Sequence, residues 1–192
     1  MQQKAPQGII FFSGYHGVGK TYTATALLEH FNAKIIDCGP VIRQLFYKSG
    51  FNSFSGWVES MKRKYGDRWD DECLLREIKN QIGTEEYLFI VGNRDIDTIL
   101  FLANKIPHRF PAIILYLEKP TRVIKSGYEL RTNSILSDEE FETILHAGPD
   151  SKLKTVKEYV INNPDNCSLI YEDHYGNATI EKAIESIKKI CK

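Results

Sequence analysis

Residues 9–23 read IIFFSGYHGVGKTYT. An apolar run, Ile9 to Phe12, leads into a loop that holds Gly14, Gly17 and Gly19 and closes on Lys20 and Thr21. Gly14, Gly19, Lys20 and Thr21 spell G-x-x-x-x-G-K-[ST]. Glycines let successive backbone N–H groups turn inward as a concave anion nest, because no β-carbon stands in the way. A helix starting at the loop's end points its positive pole at the same spot. Lys20 is then within reach of the outer phosphates of a polyphosphate, and the Thr21 hydroxyl is a ligand for Mg²⁺. His16, Val18 and Tyr22 fall in or beside the loop and join the expected nucleotide-binding set.

Working outward, the run at 9–12 is one of a series. GIIFF (8–12), KIID (34–37), YLFIV (87–91), AIILYL (112–117) and SLIYE (168–172) are continuous apolar or β-branched stretches. Continuity rather than alternation predicts strands buried on both faces of a parallel sheet. Helical spacing fills the gaps: 19–31 with Ala24, Leu27, Leu28 and Phe31 on one stripe, then 70–82, 95–106, 151–161 and 177–190, the last capped by Asn177. Ser137 and Glu140 make a capping box at another helix start. Strands alternating with helices predict a single α/β three-layer sandwich over 1–192 around a five-stranded parallel sheet. The gap 38–86 exceeds one crossover and predicts a helical insertion, of the kind that often touches a ligand.

In an open α/β sheet the ligand crevice lies outside the carboxyl ends of the strands. Asp37 ends the second run and Arg43 follows one or two helical turns later. Arg94 follows the third run. Arg122, Lys125 and Arg131 follow the fourth on a helix. Arginines gathered at one sheet edge suit a shared polyphosphate site.

The 25 basic and 25 acidic side chains cancel, which argues against wholesale nucleic-acid or membrane-surface binding. Cys38, Cys73, Cys167 and Cys191 form no CxxC or Cys/His ligand spacing, so free thiols in a reducing cytoplasm are expected. The start MQQKAPQ has no basic-then-apolar signal pattern, and no apolar run approaches about 18 residues. The expectation is a cytoplasmic monomer or homodimer.

GYHGVGKT, IDCGPVIR, VGNR and the basic helix after LYLEKP together resemble the nucleoside-monophosphate kinase superfamily, which includes adenylate kinase and dephospho-coenzyme A kinase. The resemblance implies a P-loop kinase fold, ATP as phosphoryl donor with Mg²⁺, and γ-phosphoryl transfer to a small nucleotide or nucleoside. Gly39 and Arg43 match the second-strand motif of adenylate kinases, which implies that Arg43 holds the acceptor's phosphate. Pro40 departs from the aspartate there, and Val91 stands where relatives place an acid on the third strand. Asp37 or Asp95 is the candidate replacement near the metal.

The region 119–150 resembles the lid of these kinases. Arg122 and Arg131 would then neutralise charge in the transition state, beside Lys20 as a catalytic cation. In the insertion, FNSFSGWVESMKRKYGDRW (51–69) mixes aromatic and basic side chains, and Trp57 and Arg94 join Arg43 as expected acceptor contacts. A nucleotide acceptor needs arginine clamps only, whereas a hydroxyl needs a carboxylate base, for which Asp37 is the candidate. The nucleotide-type acceptor is the first expectation. A nucleoside or dephospho-coenzyme A hydroxyl, and a non-catalytic nucleotide-binding module, are the alternatives.

Overall fold

The computed structural model describes residues 5–146 and 148–191. Its centre is a sheet of β1 (Gly8–Ser13), β2 (Ala33–Asp37), β3 (Tyr87–Val91), β4 (Ile113–Glu118) and β5 (Cys167–Tyr171), ordered β2-β3-β1-β4-β5. Every pairing is parallel. The helices are α1 (Lys20–Ala26), α2 (Cys38–Lys48), α3 (Phe54–Tyr65), α4 (Trp69–Gln81), α5 (Ile96–Lys105), α6 (Thr121–Thr132), α7 (Asp138–His146), α8 (Leu153–Asn162) and α9 (Asn177–Ile190).

Strand alternation splits the core into two layers. Ile9, Phe11, Leu88, Ile90 and Ile114 face α4, α5 and α8 through Ile78, Ile99, Leu102 and Val156. Ile10, Phe12, Phe89, Ile113 and Leu115 face α1, α6 and α9 through Ala24, Ile124, Ala183 and Ile187. Phe11 and Phe12 are fully buried on opposite faces of one strand, each worth about 1.5–3 kcal/mol of apolar transfer. That two-sided burial is why the run at 9–12 has no polar interruption.

Local signals mostly match. Ser137 and Glu140 exchange both bonds of the capping box, at 2.7 and 3.2 Å. The first helix is shorter than its periodicity suggests: α1 stops at Ala26 and continues as a 3-10 turn, Leu27–Glu29. Asn177 is not a cap. Gly176 holds that position and Asn177 is already helical, with no side-chain capping bond. The four cysteines are free thiols. No described helix is long and apolar enough to cross a membrane.

The stretch between β2 and β3 is the helical unit α2, α3 and α4, with a small core of its own. Trp57 is 3% exposed and stacks edge-on against Trp69 at 5.1 Å, with Phe46 and Phe54 at 5.8 and 5.5 Å. The expectation that Trp57 contacts an acceptor is therefore corrected: its ring is consumed by packing. Trp57→Ala should destabilise the protein by about 3 kcal/mol. Urea unfolding monitored by circular dichroism, at an unchanged m-value, is the check.

Candidate active site

The loop between β1 and α1 is held on several sides by backbone that leaves no room for side chains. Gly14 has φ 128°, and a β-carbon there would lie 2.3 Å from the Leu117 carbonyl oxygen of β4. Gly17 has φ 84°, and its β-carbon would lie 2.8 Å from the Ile124 oxygen on α6. Gly19, at φ 97°, is the N-cap of α1. Val18 is fully buried and anchors the loop to the core instead of facing a ligand. From the other side the Tyr175 hydroxyl shares its one proton between the Gly17 oxygen and the Val123 oxygen, the latter at 3.2 Å.

This frame opens on a cavity of about 390 Å³. His16, Gly17, Gly19, Lys20, Thr21 and Tyr22 line it from the loop side, and Asp37, Arg94, Arg131 and Tyr175 line it from the other elements. Lys20 folds back on the loop, donating to the Gly14 and Tyr15 oxygens at 2.7 Å each. Burial, aided by the Arg94 charge, lowers its pKa to about 7. Arg131 makes no ion pair with a described residue. Positive charge is thus concentrated and under-compensated around the nest.

A second cleft of about 640 Å³ adjoins the first, and Gly92 and Arg94 line both. Arg43, Ile42, Phe54, Asp70 and Asn93 line the second. Arg43 has no ion-pair partner among the described residues, whereas Arg94 pairs with buried Asp150 at 2.7 Å. Burial, with Asp71 beside it, raises the pKa of Asp70.

The expected site residues divide between the two cavities and their surroundings. Lys20, Thr21, His16, Gly17, Gly19, Tyr22, Asp37 and Arg131 meet at the first cavity, and Arg43 lies in the second. Gly14 and Val18 shape the loop without lining either. Arg122 is a correction: it is exposed near the start of α6 and lines neither cavity. Asp37 belongs to the first cavity, where its Oδ2 accepts from Thr21 Oγ1 at 3.3 Å while Oδ1 caps α2 through the Gly39 N–H. Asp95 is engaged elsewhere, ion-paired to Lys152 and capping α5.

A hard oxygen pair at the cavity, Thr21 and Asp37, fits Mg²⁺, which takes one or two protein oxygens and completes its shell with phosphate and water. Among the described residues no cluster of three or more His, Cys, Asp or Glu side chains competes for a metal. Asp150 and Tyr175 were not legible as site residues. Tyr175 does carry a signal, since it follows β5 at the ligand edge of the sheet.

Similarity to solved structures matches this fold. A gluconokinase from Sinorhizobium meliloti 1021 superposes with TM-score 0.58 at 14% identity, covering 98% of this chain and 95% of that one. The structure of TT1252 from Thermus thermophilus superposes with TM-score 0.57 at 13% identity, covering 96% and 97%. The chain shares the P-loop kinase fold of these structures. No protein-family model matches it, and no curated protein is significantly similar in sequence. At such identities the P-loop kinase fold is what the likeness shows.

His16 gives this P-loop a pH signature. Its Nδ1 accepts from Arg94 Nη2 at 2.7 Å, and its ring meets Tyr128 edge-on at 5.6 Å. Burial, then Arg131, Arg94, Lys20 and Arg43, drive its pKa from 6.5 to about 3. Between those values the unfolded chain binds a proton that the folded chain refuses. Stability is therefore full above the ordinary histidine value and lost as pH falls toward about 3. Denaturant midpoints at about pH 7 and about pH 5 should separate more for the wild type than for His16→Asn.

Proposed function

We propose that this protein is an ATP-dependent phosphotransferase that moves a γ-phosphoryl group to a small anionic acceptor, with a nucleoside monophosphate or similar nucleotide as the first reading. The observation that carries it is the junction of the two cavities at Gly92 and Arg94. An anion nest lies on one side and an unpaired Arg43 on the other. Phosphoryl transfer needs donor and acceptor in line with their charge neutralised, and two adjoining cavities with arginines on their linings support that reading.

The loop amides and Lys20 hold the donor phosphates. Thr21 and Asp37 would hold Mg²⁺, which neutralises phosphate charge when bound. Arg131 faces the phosphate cavity and meets the charge that develops on the transferred group. Arg43 holds the acceptor anion, and Arg94 bridges the two. The shared fold with gluconokinase supports small-molecule phosphorylation at large, so gluconate belongs among the acceptors tested. A hydroxyl acceptor with Asp37 as base is the second reading. It is favoured by the place of Asp37 beside Gly92, where a β-carbon would lie 3.4 Å from the carboxylate Oδ1.

The test is ADP release from Mg·ATP with a panel of nucleoside monophosphates, nucleosides, dephospho-coenzyme A and gluconate. A monophosphate should release ADP in an acceptor-dependent way, and Lys20→Ala should lower turnover by at least about 100-fold. Arg43→Ala should raise the acceptor KM by about tenfold or more with a smaller change in kcat. Tight ATP binding with no productive acceptor would instead support the non-catalytic module.

Binding should also carry a proton. A phosphate beside Lys20 favours its ammonium form, so above a pKa of about 7 the complex draws a proton from solution. Calorimetry at about pH 8 in two buffers of different ionisation enthalpy should report net proton uptake on ATP binding.

A further inference from the structure

Asn93 stands at the carboxyl edge of β3 and is 4% exposed. Its backbone oxygen accepts from Ser13 Oγ at 2.9 Å, and its side-chain Oδ1 accepts from Cys38 Sγ at 2.7 Å. Its Nδ2 is buried without a hydrogen-bond partner among the described residues. Asn93 lines the second cleft beside Arg43 and Arg94. A buried amide N–H left unpaired is costly, and such groups in folded proteins have an identifiable reason.

Cys38 fixes which end of the amide is free. The thiol is buried and donates to the amide oxygen, which leaves the NH₂ end without a partner among the described residues. An N–H group can donate to an anionic oxygen but cannot take a proton from an attacking hydroxyl.

Resting on the phosphotransferase reading above, we propose that Asn93 is a specificity-determining residue whose Nδ2, oriented by Cys38, donates to an anionic phosphate oxygen of the acceptor. The Asn93 amide thereby selects phosphate-bearing acceptors over neutral alcohols, beside the charge of Arg43.

The experiment is proton–nitrogen NMR of the full chain with Mg²⁺ and a non-hydrolysable ATP analogue, titrated with adenosine monophosphate or, separately, adenosine. The Asn93 side-chain amide, assigned by its loss in Asn93→Asp, should shift saturably with the monophosphate and not with adenosine. Asn93→Asp keeps an oxygen for Cys38 but replaces the donor with a carboxylate, and should weaken monophosphate binding at least about tenfold. Cys38→Ser retains a donor and should preserve the amide response, whereas Cys38→Ala should weaken it.

An Asn93 amide unmoved by the monophosphate, or moved equally by adenosine, overturns the proposal. So does equal monophosphate binding by Asn93→Asp and wild type, or a Cys38→Ala response equal to that of Cys38→Ser. Backbone signals of Gly17 to Thr21 report the ATP analogue separately. A silent loop would count against the donor site, while a responsive loop with a silent Asn93 would count against this inference alone.

Discussion

Everything at the carboxyl edge of the sheet depends on backbone packed directly against backbone around the loop at 14–19. Gly14 lies under the Leu117 carbonyl, and Gly17 lies under α6. Gly127 makes the reciprocal contact, since a β-carbon there would be 2.8 Å from the Gly17 oxygen and 2.2 Å from the Tyr175 hydroxyl. These approaches leave the loop backbone little freedom, so its conformation is set by packing alone. Tyr175 then ties loop and helix together through two carbonyl oxygens. The N-terminal half of α6 is thus part of the loop's support, and Arg131 lies on the half beyond it.

A chain of zero formal charge still gathers Lys20, Arg94 and Arg131 on the lining of one cavity, beside Asp37. Burial is the main cause of the lowered pKa values of Lys20 and His16, and the neighbouring arginines add to it. Asp150 and Lys152, from the 3-10 turn Gly148–Lys152, pair with Arg94 and Asp95. The turn before α8 is thereby fastened to the edge of β3 where the two cavities meet.

The sheet was legible because each strand is buried on both faces, which forces an unbroken apolar run. The loop was legible because its glycines answer to steric limits that no other residue meets. The surroundings of the site were harder to read. Trp57 at helical spacing reads equally as a stacking platform or as packing, and only the proximity of Trp69, twelve residues on, decides for packing. Arg122 and Arg131 share a helix and a charge, and both are exposed, but of the two Arg131 alone lines the first cavity. Asp150 and Asn93 depend on contacts across long sequence separations, which neither periodicity nor motif spacing encodes.

The small core of the insertion has an optical side as well. The chain has two tryptophans, and both lie in that core, formed with Cys73 and Phe46. Emission excited selectively at the tryptophans, apart from the ten tyrosines, is therefore a local signal from the α2–α4 unit. The loop at 14–19 contributes no indole, so the optical readout and the glycine loop belong to separate parts of one molecule.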